Sequence, residues 1–308
     1  MGNRVPARQI LHFNINTKHI QAAADFYCGT VGLQLRMQSE SDDGDWRFHG
    51  IEEPVSSAGW FLYDDRGPRE CPALELVEWR KPATRGSSYD TLIHRGMSSV
   101  SIQVASLEET LARVRDRGGQ IIGPLSDGHG RADMLIRDPD GVFVELRERP
   151  GPTRIASVRI GVADVETSLD WYGLIGFTTT QPPKVDELLV DGTVRRARFA
   201  RVALPGAETE VVLTQWLDEP TEELPHDKLW TQGMVRMAVS VDDLDEAIAV
   251  LNERGLTVPD KLEFALPGTK IGALTVLFLR DPDGFTVELV HRPPRHFARK
   301  AEIKGGTA

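Results

Sequence analysis

Glutamate and histidine side chains stand at recurring positions of this chain, and their types permit proton transfer or cation binding. Glu145 follows Arg137-Asp138-Pro139-Asp140-Gly141 and Val142-Phe143-Val144; Glu288 follows Arg280-Asp281-Pro282-Asp283-Gly284 and Phe285-Thr286-Val287. Each precedes a leucine. A carboxylate so placed can accept and return a proton or ligate a hard cation. His129, in Asp127-Gly128-His129-Gly130, lies on a glycine-flanked loop before a strand. There an imidazole can serve as acid or base above a substrate, or simply face solvent. In Trp46-Arg47-Phe48-His49, strand alternation sends either Trp46 and Phe48, or Arg47 and His49, toward a cavity. No Ser/His/Asp motif, Cys-x-x-Cys pair or phosphate-binding loop accompanies these residues.

The elements that must carry them are written four times. Strands with one buried face begin at Ile10, Ser98, Ala156 and Val235. A helix follows each. Ser106-Leu107-Glu108-Glu109 is a capping box, and Asp243-Leu244-Asp245-Glu246 repeats it with an aspartate cap. These two helices stop at Arg117-Gly118 and Arg254-Gly255, where glycine accepts the left-handed conformation. The other two end in Asp25-Phe26-Tyr27 and Asp170-Trp171-Tyr172, before Gly32-Leu33 and Gly176-Phe177. Asp-Pro-Asp-Gly is turn chemistry, and a β-branched, aromatic strand follows it. The copies keep register: His12 and Tyr27 recur as Ser157 and Tyr172, each 145 positions on. Trp79, Ser99, Ser106 and Gly118 recur as Trp216, Arg236, Asp243 and Gly255, each 137 positions on. Repeats of this length mark a duplicated domain. Arg149-Pro150-Gly151-Pro152 is the boundary between the halves, the polar stretch Gln38–Gly50 reads as a loop or strand connection, and the residues from Arg292 read as a tail.

Four strand–helix–strand segments, Phe-Tyr or Trp-Tyr helix ends and Asp-Pro-Asp-Gly turns running into Glu-Leu resemble the vicinal oxygen chelate superfamily. That group contains glyoxalase I, bleomycin-resistance proteins and extradiol dioxygenases. The resemblance implies an α+β fold of four βαβββ modules, paired into two cup-shaped mixed-sheet domains. These are expected at 1–150 (modules about 8–82 and 95–150) and 151–308 (modules about 153–220 and 232–292, with the tail). It also implies that a divalent metal sits in a cup, held by the first and last strands of paired modules.

Carried onto this chain, the first-strand position holds His12, Ser99, Ser157 and Arg236, and the last-strand position holds Glu75, Glu145, Val212 and Glu288. With modules paired in chain order, His12, Glu75 and Glu145 are the expected metal ligands of the N-terminal cup, for Fe, Mn, Zn or Ni. Glu75 and Glu145 are then the catalytic carboxylates, and Ser99, His129 and Arg47 the substrate-binding residues. Two carboxylates facing each other repel unless a cation or protons intervene. The C-terminal set contains a valine and an arginine, so that cup is expected to be metal-free, with Arg236 paired to Glu288 where a metal's charge would have been. The extradiol arrangement places two histidines and a glutamate where Ser157, Arg236 and Glu288 stand, and a tyrosine before the final turn. Thr275-Val276-Leu277-Phe278-Leu279-Arg280 has none.

Bulk composition limits the partners. The 308 residues carry a net charge of −10, which disfavours nucleic acid and an anionic membrane surface. Two cysteines, Cys28 and Cys71, are too few for a disulfide framework. No apolar run approaches the ~20 residues needed to span a bilayer, and no signal-peptide core is present. The chain therefore reads as a cytoplasmic monomer or homodimer without nucleotide or flavin, acting on a small oxygenated organic molecule. The leading reading is metal-dependent lyase or isomerase chemistry in the N-terminal cup. The alternatives are a metal-free, drug-sequestering binding protein of the bleomycin-resistance kind, a metal-free enzyme using Glu75 and Glu145, and an extradiol-type dioxygenase with atypical ligands.

Overall fold

The computed structural model describes residues 4–44, 51–126, 132–190, 192–219, 223–226, 228–266 and 272–291. Segment one comprises β1 (Ala7–Asn16), α1 (Ile20–Val31), β2 (Gln34–Gly44), β3 (Val55–Tyr63) and β4 (Ala73–Lys81). Segment two comprises β5 (Gly96–Val104), α2 (Leu107–Asp116), β6 (Gln120–Ser126), β7 (Ala132–Arg137) and β8 (Phe143–Glu148). Segment three comprises β9 (Arg154–Gly161), α3 (Val165–Leu174), β10 (Thr178–Val190), β11 (Thr193–Ala203) and β12 (Glu210–Trp216). Segment four comprises β13 (Gly233–Val241), α4 (Leu244–Glu253), β14 (Leu262–Leu266), β15 (Gly272–Arg280) and β16 (Thr286–His291). The α+β class and the four βαβββ modules are those the sequence predicts.

Local chemistry sets the helix ends. The Ser106 hydroxyl accepts from the Glu109 N–H, and the Asp243 carboxylate accepts from the Asp245 and Glu246 N–H groups. α1 runs one turn past Tyr27, to Val31, and stops where Gly32 turns left-handed at φ 82°. The polar stretch expected to be a connection is instead strand through Gly44. It forms the outer edge of its sheet, where polar side chains keep their water.

The pairing of the segments differs from the expectation. One sheet runs β14-β15-β16-β13-β1-β4-β3-β2, so segment one joins segment four. The other is a closed barrel, β10-β11-β12-β9-β5-β8-β7-β6, so segment two joins segment three. The seams are antiparallel pairings of first strands, β1 with β13 and β5 with β9. Connection length explains the choice. The boundary at 149–152 lets β8 reverse directly into β9, which lies antiparallel on the far side of β5. The longer connections at 82–95 and 217–232 let their flanking segments enter different sheets. Those connections hold each other: the Tyr89 ring stacks on His94 at 3.5 Å and on His226 at 4.1 Å between centroids.

Consecutive segments meet through their helices and turns. The Tyr27 hydroxyl donates to Asp138 Oδ2 at 2.8 Å, and the Tyr172 hydroxyl donates to Asp281 Oδ2 at 3.2 Å. The other oxygen of each aspartate accepts the turn N–H groups, from Asp140 and Val142 and from Asp283 and Phe285. Burial pushes both aspartates up to about 7. One apolar cluster, from Phe13 and Leu74 to Val158, Met237 and Leu289, joins the helices to the faces of both sheets that lie away from the cup and the barrel interior. No helix among the described residues is long and apolar enough to cross a membrane.

The barrel interior is filled. Leu125, Leu135, Phe143, Leu188, Phe199, Val212 and Trp216 belong to one buried cluster. Beside it, Arg159 grips Glu145 with Nε to Oε1 at 2.7 Å and Nη2 to Oε2 at 3.3 Å, and Arg159 Nη1 donates to Thr214 at 3.0 Å. Although burial alone would raise Glu145, the guanidinium groups of Arg159 and Arg147 hold it down at about 2.

Two outcomes follow from these buried groups. Asp138 and Asp281 keep their protons in the fold to about pH 7, whereas their ordinary value is 3.8. Between those values the folded state binds more protons than the unfolded chain, so these groups make stability fall as pH rises, levelling above about 7. The Asp138→Asn/Asp281→Asn variant should therefore gain stability over the native chain between about pH 5 and pH 8, by on the order of a few kcal/mol in urea denaturation. A difference independent of pH would contradict this. Arg159→Leu strands the Glu145 carboxylate and should cost roughly 3–5 kcal/mol, while Arg159→Leu/Glu145→Leu recovers most of it. Equal losses in the two variants would contradict the pairing.

Candidate active site in the shared cup

The β1–β13 seam decides which side chains meet. Asn14 lies opposite Arg236 on one side and Glu75 on the other, and Ala238 lies opposite His12 and Glu288. Side chains two apart share a face. His12, Glu75, Arg236 and Glu288 therefore point into one cup, drawn from segments one and four. The sequence expectation placed His12 and Glu75 with Glu145. That trio does not assemble, because Glu145 lies in the barrel, bound to Arg159 and to the Ser99 hydroxyl, which donates to Oε1 at 2.6 Å. Ser99 is correspondingly a partner of Glu145, away from His12. Arg47 and His129 lie outside the described residues.

Within the cup, His12 Nε2 lies 3.3 Å from Glu75 Oε2 and 3.6 Å from Glu288 Oε2. Arg236 Nη2 donates to Glu75 Oε2 at 2.9 Å, and Arg236 Nε lies 3.2 Å from Glu288 Oε2. The expected pairing of Arg236 with Glu288 is thus present, with Glu75 added from the other module. Asn14 Nδ2 also donates to Glu75 Oε2, at 3.2 Å, and the edge of Phe61 packs against His12. The four side chains are only 8–12% exposed. Burial works against the charge of Arg236, but Glu75 and Glu288 outweigh it and raise the guanidinium further. Several buried atoms of the cup, among them His12 Nε2, Arg236 Nε and Arg236 Nη1, have no hydrogen-bond partner among the described residues.

The walls are apolar. Ala238, Val276 and Val290 form a buried cluster on the segment-four side, and Phe61 and Val77 stand beside Glu75 in the strand alternation on the other. Gly59 permits close packing beside Glu75: a Cβ there would lie 3.1 Å from the Ser39 hydroxyl and 3.9 Å from Glu75 Oε1.

A divalent ion fits part of this set. His12, Glu75 and Glu288 are residue types that ligate such an ion. Arg236 argues the other way. Its guanidinium contacts the same two Oε2 atoms, so an ion would compete for their lone pairs beside a permanent cation. Among the described residues, no three His, Cys, Asp or Glu side chains form a group able to hold a metal. With Arg236 in the fourth place, the donor set does not fit a divalent ion.

Two members of the site were hidden by the expected pairing. Chain-order pairing puts Glu288 in the other cup, and Asn14 carries no metal-ligand signal of its own, although its position two residues after His12 puts it on the same face. The same alternation carries Arg159, two residues after Ser157, into the barrel.

Similarity to known proteins agrees with this architecture. A sequence model of the Glyoxalase/Bleomycin resistance protein/Dioxygenase superfamily matches residues 9–146 and 154–289. A lactoylglutathione lyase of Arabidopsis thaliana is 25% identical over 293 residues, covering 92% of this chain and 91% of the relative. The crystal structure of glyoxalase I from Zea mays superposes with a TM-score of 0.67 at 19% identity, covering 97% of each chain. A putative dioxygenase from Bacillus subtilis superposes with a TM-score of 0.61 at 13% identity, covering 94% of this chain and 86% of the other. These structural likenesses establish the fold. Matched through both halves of its duplicated sequence, the chain belongs to the glyoxalase/bleomycin resistance protein/dioxygenase superfamily.

Proposed function

We propose that the chain is an enzyme acting on a small oxygenated organic molecule, by lyase or isomerase chemistry, in the cup shared by segments one and four. The observation that carries this reading is the convergence of Glu75, Glu288, His12 and Arg236 on one nearly solvent-free floor between apolar walls. Folding alone gains little from burying two acids together, since each needs a partner to offset desolvation. Proton transfer does use such a pair. Glu75 and Glu288 approach from opposite modules, so one carboxylate can take a proton from a carbon beside a carbonyl and, as the acid so formed, return it to a neighbouring atom. Positioned acid–base groups contribute roughly 10²–10⁴-fold in rate. His12 Nε2, buried and without a hydrogen-bond partner among the described residues, is available to orient the guest. The resemblance in sequence to a lactoylglutathione lyase across most of both chains points to the same class.

The divalent metal expected from the sequence has no part in this reading, because Arg236 occupies its fourth ligand place. The closed, side-chain-filled barrel is assigned a structural role.

The test is exchange of carbon-bound hydrogen with deuterated water, followed by NMR. Substrates are S-lactoylglutathione and a panel of small hydroxycarbonyl compounds. The native protein should exchange at least one of them, and Glu75→Gln and Glu288→Gln should each slow that exchange by about 10²-fold or more while retaining native circular dichroism. Exchange at native rates in both variants would contradict the assignment. Binding without exchange across the panel would favour a drug-sequestering protein instead.

A further inference from the structure

The position where a metal ligand is expected holds a cation instead, and the consequences reach the substrate. Arg236 keeps its proton at any physiological pH. Its side chain is 8% exposed, and it already balances one of the two carboxylate charges. Two glutamates against one guanidinium leave the floor short of positive charge by one. A substrate presenting its own carboxylate here would add a third negative group in a medium of low polarity. A neutral carbonyl compound would not. Arg236 Nη1 is, in addition, a buried donor with no partner among the described residues. Leaving a charged donor unpaired is unfavourable, and an incoming acceptor relieves it.

We propose that Arg236 replaces the divalent ion of this site, and that its Nη1, unpaired among the described residues, binds the oxygen of an uncharged α-hydroxycarbonyl group as that oxygen becomes an enolate. This rests on the proton-transfer reading above and deepens it. In the step, the C–H bond beside the carbonyl breaks and its proton passes to a glutamate oxygen. The freed pair forms the carbon–carbon double bond, and the carbonyl π pair moves onto oxygen, opposite the guanidinium. One carboxylate charge disappears as the oxyanion charge appears, so the total charge of the floor is unchanged and no oxidant or metal is consumed. Return of the proton to the same carbon gives the epimer; its return to the former carbonyl carbon, with the hydroxyl proton passing to the first oxygen, gives the isomer. Donors fixed in place before charge develops are the strongest contributors to such steps.

The experiment is calorimetric titration of EDTA-treated protein with Zn(II) and with Ni(II), for the native chain, Arg236→His and Arg236→His/Glu288→Gln. The native chain should take up no stoichiometric ion. Arg236→His supplies a neutral imidazole in the vacated place and should bind one ion per chain, lost in the double variant. In parallel, deuterium exchange by the native chain should be unaffected by EDTA, and Arg236→Met should lower it by about 10²–10³-fold. If Arg236→His fails to fold, the native titration and Arg236→Lys decide. Lysine keeps the charge but not the forked donors, and should also lose exchange. One tightly bound ion per native chain, removed by Glu288→Gln, would overturn the proposal. If exchange then required that ion, the proton-transfer reading would survive without the arginine. A native chain that neither binds metal nor exchanges any carbonyl compound would end both.

Discussion

A carboxylate buried in a cup cannot stay ionised without a positive charge beside it, and this molecule meets the requirement twice with arginine. In the barrel, Arg159 clasps Glu145, with Ser99 and Arg147 completing the cage. In the open-sheet cup, Arg236 spans Glu75 and Glu288. The two solutions have opposite consequences. All three nitrogens of Arg159 find acceptors, and apolar side chains fill the remaining space. Arg236 Nη1 has no hydrogen-bond partner among the described residues, and His12 Nε2 beside it meets only the same two glutamate oxygens. A satisfied ion pair is structure; an unsatisfied one at the floor of a cup is a place for a guest.

The arginine reaches both glutamates because of the topology. Glu75 and Arg236 are 161 positions apart, and they meet only because the first strand of segment one zips onto the first strand of segment four. A single seam residue, Asn14, lies opposite Arg236 and Glu75 at once and donates to the carboxylate. The division of labour is tidy in physical terms. One sheet joins the first and last segments and the other joins the middle two, while buried tyrosine–aspartate bonds join segment one to two and segment three to four. Each half of the chain thus contributes one module to each sheet, and neither half contains a complete cup.

Much of this was legible in the residues. Alternation, caps and the repeated turn specify four modules, and register between copies identifies the positions that point inward. Ser106 and Asp243 cap as read, and Arg236 pairs with Glu288 as read. What composition and pattern do not encode is which first strands pair. His12 and Glu145 bear the right chemistry for one site, yet a short connection at 149–152 and stacked long ones at 82–95 and 217–232 send them to different sheets. Inward position is a local property, whereas the identity of the facing module is a global one. The edge strand β2 was obscured for a different reason: a strand at the sheet edge can be polar throughout without losing its hydrogen bonds to the neighbour.

The central claim is that Glu75 and Arg236 share one buried site across the chain. A double-mutant cycle with Glu75→Gln, Arg236→Met and their combination, read by urea denaturation, measures it directly. The account predicts a coupling of about 1–3 kcal/mol. Losses that simply add, to within roughly 0.5 kcal/mol, would show that the two side chains do not meet and would contradict it.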